Sequence, residues 1–285
     1  MSRLLIISAD DFGLTDGVCR AVLAGHQHGI VTSTSLLAVG RSFETAVEML
    51  RDTPSLDAGA HLAIVGEDPP LLTAREIPTL VDSKGAFPLS YRSVVLRGVV
   101  GRIDPADVRR EFGAQLQRIL DAGVPVSHLD THQHTHLWPA VGTAVLELAV
   151  ANNIRAVRTP HSGRQLPIGF GVNLLAGRFR TKVGRAGLAT TAGYAGLVEA
   201  GTFDQARFEH SLGRFGPPEG TDRSTVEINT HPGEAGDADL SRFDWGYRWP
   251  AELAMLLAPA SRELIQKSGF RLGSFQDLVT VDGPA

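Results

Sequence analysis

Cysteine is nearly absent: Cys19 is the only one in 285 residues. That excludes an internal disulfide framework and a zinc site built on several thiolates, and it fits a reducing compartment. Positive charge is not in excess either. Lys and Arg number 27 against 31 Asp and Glu, a formal net charge of −4. No overall positive field draws phosphate, so nucleic acid is not an expected partner. No uncharged apolar stretch approaches the roughly 18 residues that a bilayer span requires. The first apolar run, Leu4 to Ile7, is too short for the core of a signal peptide and meets two aspartates at once. Stable membrane insertion is therefore not expected, and the chain reads as soluble and cytoplasmic. Internal repeats and low-complexity tracts are lacking too.

What remains is the composition of an ordinary globular protein, 43% hydrophobic and 20% charged. Such a length suits one domain of α/β-barrel size as well as two smaller ones, and a single domain over residues 1–285 is the expectation. Leu4-Leu5-Ile6-Ile7 reads as a strand buried on both faces that ends at Asp10-Asp11. A helix from about Thr15 to His28 follows, then a strand over Val31–Ala38. Ser42 is placed to cap a helix running to Arg51 with Phe43, Ala46, Val47 and Leu50 on its apolar face. Ala58–Ile64 is a third strand. Asp104-Pro105 opens a helix with Val108, Phe112, Leu116, Ile119 and Leu120 on one face, up to Gly123. Strand Val126–Thr131, a helix from Pro139 to about Asn152, and strands Arg155–Thr159 and Thr225–Asn229 complete the clear elements. Alternating strands and helices predict a parallel sheet and a distorted (β/α) TIM-like barrel, with fewer than eight strands admitted.

Two regions read as insertions. Residues 66–102 are broken by Pro69, Pro70, Pro78 and Pro88 and look like loop rather than scaffold. The other spans 162–222. Within it, residues 162–198 hold no Asp or Glu but carry Arg164, Arg178, Arg180, Lys182 and Arg185 among many apolar residues. That stretch reads as a lid near the substrate or as a solvated surface segment.

The chemistry gathers elsewhere. Four of the ten histidines fall within residues 128–136, in His128-Leu-Asp130-Thr-His132-Gln-His134-Thr-His136. Imidazoles and a carboxylate at this density form the ligand set of a divalent metal. On a continuing strand, alternation would put His128, Asp130, His132 and His134 on one face. The imidazoles that are not ligands, with Asp130, would then orient the ligands by hydrogen bonds. Asp10 and Asp11, adjacent at a strand end, can divide the labour, one on a metal and the other facing substrate as a base. His61 and His231 also fall at predicted strand ends, where barrel active sites collect. Trp138, Trp245, Tyr247 and Trp249 read either as core packing or as stacking faces for a substrate ring.

The ordered set Ser-Ala-Asp10-Asp11-Phe-Gly-Leu, Gly-Ala-His61-Leu, His128-Leu-Asp-Thr-His132-Gln-His-Thr-His136 and Asn-Thr-His231-Pro resembles the YdjC-like carbohydrate deacetylases. These include chitooligosaccharide deacetylases and the enzyme acting on the sugar of glycosylated hopanoids. The resemblance implies a barrel related to polysaccharide deacetylases. It implies one divalent ion on Asp11, His61 and His132, Asp10 as general base and His231 as general acid. Arg158, in Arg-Thr-Pro160, is similar to the arginine that holds the base. The family usually has His-His-His where this chain has His132-Gln133-His134. Magnesium or zinc would serve, and an Asp-His-His set also tolerates manganese or cobalt. The expected reaction releases acetate from an N-acetylated amino sugar on an oligosaccharide or a glycolipid, and the basic, apolar segment favours a lipid-linked one. Pairing into a homodimer stays open. The rival readings are a metal phosphoesterase on a barrel and a non-catalytic carbohydrate- or metal-binding barrel.

Overall fold

The computed structural model of the chain describes residues 3–163, 167–216 and 224–281. Arg164, counted above in the basic segment, lies outside them, as do residues 217–222 of the second expected insertion.

Strand and helix alternate along the chain: β1 Arg3–Phe12, α1 Asp16–His28, β2 Ser33–Leu36, α2 Phe43–Asp52, β3 Asp57–Leu62, α3 Tyr91–Val99, α4 Pro105–Asp121 and β4 His128–Thr131. The second half follows with α5 Pro139–Ala151, β5 Ala156–Val157, α6 Pro167–Arg185, β6 Gly193–Ala195, α7 Gln205–Gly213, β7 Thr225–Thr230, α8 Trp249–Leu257, α9 Pro259–Lys267, β8 Phe270–Leu272 and α10 Phe275–Val281. Seven strands run in the order β5-β4-β3-β2-β1-β7-β6, and β8 pairs with β1 alone. Every pairing is parallel. A single bridge, Ala156 to Ala189, stands between β5 and the segment that leads into β6. The fold is α/β, a curled parallel sheet ringed by helices, in keeping with a distorted TIM-like barrel short of eight strands.

Local chemistry explains the helix starts. Thr15 accepts a hydrogen bond from the Val18 N–H at 3.1 Å and caps α1. Asp104 caps α4 through the Ala106 N–H, with Pro105 in the first turn. Ser42 does not cap α2 as expected. Its φ of −95° and ψ of 24° leave the extended conformation from which a cap oxygen reaches the first turn. The apolar faces predicted for α2 and α4 are buried against the sheet. Residues 66–102 contain α3, and residues 162–198 contain both α6 and a strand of the sheet, β6.

The barrel interior is layered by the alternation of β1. Leu5, Ile7 and Ala9 join the large core beneath the helices. Leu4 and Ile6 point the other way and pack with Ala156, Phe275 and Leu278, forming an apolar floor. Above them, Ser8 and Asp10 continue the inward row into a polar layer.

Candidate metal centre

Asp10 and Asp11 are neighbours on a strand, so regular alternation would send them to opposite faces. A break in the β1–β2 register between Ala9 and Phe12 prevents that, and Asp11 takes a left-handed φ of 63°. This local bulge turns both carboxylates inward, each 1% exposed. They then serve different partners.

Asp11 faces two imidazoles. Its Oδ1 lies 2.9 Å from His132 Nδ1 and 3.4 Å from His61 Nε2. One ligand atom from each of the three residues falls within 4.8 Å of the others, and all three residues are buried. Burial alone would raise the Asp11 pKa, but His132 and His61 hold it well below the usual carboxylate range. His61 is pushed up to about 10: burial opposes the charge, and Asp130 and Asp10 overcome it. The other Asp11 oxygen, Oδ2, is buried with no hydrogen-bond partner, an expensive state for a carboxylate unless something cationic completes it. These residues fit a divalent cation, which would take the place of the proton that His61 otherwise holds. The far nitrogen of His61, Nδ1, contacts Asp130 at 2.7 Å. That second-layer carboxylate fixes the tautomer and aims Nε2 at the cluster.

Asp10 answers to a guanidinium instead. Arg158 is fully buried and grips both Asp10 oxygens in a fork, at 2.6 and 2.8 Å. Its Nε donates to Glu227 at 2.7 Å, a third contact reaches Asp130, and Ser8 accepts at 2.9 Å. Ser35 adds a hydrogen bond to Asp10 at 3.0 Å. Asp10, His61 and Asp130 are themselves close enough to form a second metal-like group. Arg158 already neutralises two of its three members, which weighs against the two-metal arrangement of a phosphoesterase.

His231 directly follows β7 and lines the same cleft as Asp10, His61 and His132, a space of about 520 Å³. Glu252 accepts the His231 and Phe203 backbone N–H groups and so anchors this turn. Burial lowers the His231 pKa and pushes Glu252 up to about 8. Trp245 and Tyr247 wall the cleft, with ring centroids 5.2 Å from His132 and 5.0 Å from His231 respectively. Trp249 is 6% exposed and packs behind them rather than offering a face.

Three sequence expectations need correcting. The strand stops at Thr131, and Gln133 and His134 adopt φ of 51° and 53°, so alternation does not carry His132 and His134 onto the face of Asp130. His134 turns to the Tyr194 hydroxyl at 3.2 Å. His128 begins β4, at the end remote from the cluster. Its ring stacks on Phe275 at 3.7 Å and its Nδ1 meets Ser127 at 2.9 Å, so it belongs to the floor and does not orient the metal ligands. Trp138 lines a neighbouring apolar groove of about 260 Å³ between α3 and α6, not the cleft that holds Asp10 and His231.

Ser35, Glu227 and Glu252 were not anticipated. Glu227 could have been found, as a carboxylate set among Val226, Ile228 and other strand-forming residues has to be buried against a cation or face solvent. Glu252 acts on backbone N–H groups of distant loops, for which one sequence carries no signal.

A parallel α/β barrel with a buried Asp-His-His triad at its C-terminal strand ends, next to a clamped carboxylate, defines a class of barrels with a candidate metal centre. Comparison with known proteins narrows it. A model for the family described as YdjC-like protein matches residues 4–267, and this chain belongs to that family. A relative named carbohydrate deacetylase, from Brevibacillus brevis, is 28% identical over 96% of this chain and 99% of its own length. Another of that name, from Listeria monocytogenes, is 34% identical over 55% of this chain and 65% of its own. A crystal structure from Enterococcus faecalis, of a protein assigned to cellobiose-phosphate cleavage, superposes with a TM-score of 0.77 at 23% identity. It covers 98% of this chain and 99% of its own, and it shows the fold.

Proposed function

We propose that this chain is a metal-dependent carbohydrate N-deacetylase, hydrolysing the amide of an N-acetylated amino sugar to acetate and a free amine. The observation that carries this reading is the pairing of a buried Asp11–His61–His132 set with a separate carboxylate, Asp10, held at its edge by Arg158. The names of the relatives support the sugar and the reaction.

Asp11, His61 and His132 would hold one divalent ion; magnesium or zinc suits this set, and manganese or cobalt also fits. When bound, the ion polarises the acetyl carbonyl and makes water acidic enough to react near neutral pH. Asp10 takes the proton of the attacking water. The Arg158 fork and the Ser35 hydroxyl fix its position. His231, in the same cleft, gives the departing nitrogen its proton. Burial lowers the His231 pKa, which makes its protonated ring a strong donor; the cycle closes when solvent returns a proton to His231 and takes the one held by Asp10. Trp245 and Tyr247 supply the stacking faces for the sugar. The apolar groove beyond His134 shares Tyr91, Gln133 and Leu197 with the cleft, and we assign it to an apolar aglycone of the substrate.

Acetate release from a panel of N-acetylated sugars, free and lipid-linked, tests the reading. Asp10→Asn and His132→Ala should each remove the activity, by about 10²-fold or more, while the circular dichroism stays native. Near-normal turnover in either variant would refute the roles. Much faster turnover of a soluble chitobiose than of any amphiphilic sugar would remove the aglycone from the proposal.

A further inference from the structure

Among the described residues, the exposed large hydrophobic side chains are not scattered. All but Val150 fall in residues 89–100 or on α6. Leu96, Val99 and Val100 stand out from α3 at 62% exposure or more, and Phe170 and Leu174 stand out from α6 at 57% or more. These two helices also wall the apolar groove, which Tyr91, Val94, Val95, Gly169, Val172 and Leu175 line; those five bare residues are not among its lining and stand on the helices' solvent side. Scattered single exposures need no explanation, but a gathered patch marks an interaction surface.

The charge on the same helices is one-sided. Residues 83–103 contain no Asp or Glu, and neither do residues 162–198, in a chain with a net charge of −4. On α6, Phe170, Leu174 and Arg178 follow at four-residue intervals, so an exposed apolar row runs into an exposed cation. On α3, Arg92 precedes Leu96 and Val100 at the same interval, and Arg102 follows. Apolar residues with Lys or Arg and no acid are the pattern of helices lying in a lipid headgroup region. No helix among the described residues is long and apolar enough to cross a membrane.

We propose that the face formed by α3 and α6 docks on an anionic lipid surface, with Leu96, Val99, Val100, Phe170 and Leu174 entering the headgroup layer and the neighbouring arginines meeting lipid phosphate. A second copy of the chain fits the face poorly, since isologous pairing would set two acid-free, basic surfaces against each other. The docking goes beyond the catalytic reading and needs no substrate to be observed.

Vesicle co-sedimentation of the full chain is the test, with phosphatidylglycerol-containing and pure phosphatidylcholine vesicles compared at low and high salt. Binding to the anionic vesicles is expected, weakening as salt rises. Leu96→Asp combined with Phe170→Asp should lower the affinity by about tenfold or more, with an unchanged thermal midpoint because both side chains already sit in solvent. Arg92→Gln with Arg178→Gln, which leaves the apolar residues in place, should flatten the salt dependence. Equal binding to neutral and anionic vesicles would overturn the proposal. So would unchanged binding by the double aspartate variant, or a wild-type dimer in solution that this variant converts to monomer.

Discussion

The two halves of the barrel interior are built from the same strands and behave as opposites. Every second residue of β1 points inward: Leu4 and Ile6 enter the floor, Ser8 and Asp10 the polar layer. Near β5 the pattern repeats, with Ala156 below and Arg158 above. The floor is held by area removed from water and tolerates no gap. The ring of His128 lies where a Cβ on Gly59 would stand, 2.4 Å away, and it stacks on Phe275. The upper layer is held by directed bonds around one guanidinium. That difference separates stability from reactivity within a few ångströms. The floor fixes the strand ends, and the layer above holds the Asp11, His61 and His132 set proposed to take a metal ion.

Arg158→Met should break this division most severely. It leaves Asp10, Asp130 and Glu227 buried without their common partner, at a cost of about 3–5 kcal/mol. Thermal unfolding should show the loss, and acetate release should fall with it because Asp10 is no longer clamped. Phe275→Ala should separate the halves. Emptying the fully buried ring site costs about 3–5 kcal/mol, read as a lower midpoint in urea, while kcat of the folded protein stays within about twofold. A parallel collapse of kcat would show that the floor shares in catalysis.

Glu227→Gln should have the smallest effect and a distinctive pH profile. Burial raises the Glu227 carboxyl from 4.5 to about 7, despite Arg158 beside it. The native state therefore keeps a proton that the unfolded chain gives up. The resulting stabilisation is full below about pH 4.5 and is lost as pH rises towards 7. Glutamine does not titrate, so the variant's stability should be flatter across that window, and an unchanged slope would count against a raised Glu227.

Most of the scaffold was legible because its apolar rows are long and their periods clean, as in α4 and β1. Asp10, Asp11, His61, His132 and His231 were all placed at strand ends in advance, and in the structure they meet in one cleft. What failed did so where backbone geometry leaves its regular period. The left-handed Gln133 and His134 ended an alternation that the histidine spacing invited. The bulge at Asp11 did the reverse, joining two carboxylates that alternation would have parted. Ser42 lost its capping role through a local ψ, and His128 found an aromatic partner, Phe275, far along the chain. Glu227, Ser35 and Glu252 act through contacts between remote strands and loops, which no local pattern announces.

Metal add-back after chelation bears most directly on the central claim. Protein stripped of metal should release no acetate from an N-acetylated sugar, and one equivalent of a divalent ion per chain should restore the rate in the wild type but not in His132→Ala. Full activity in the stripped protein, or restoration in the variant to the wild-type level, would contradict a centre built on Asp11, His61 and His132.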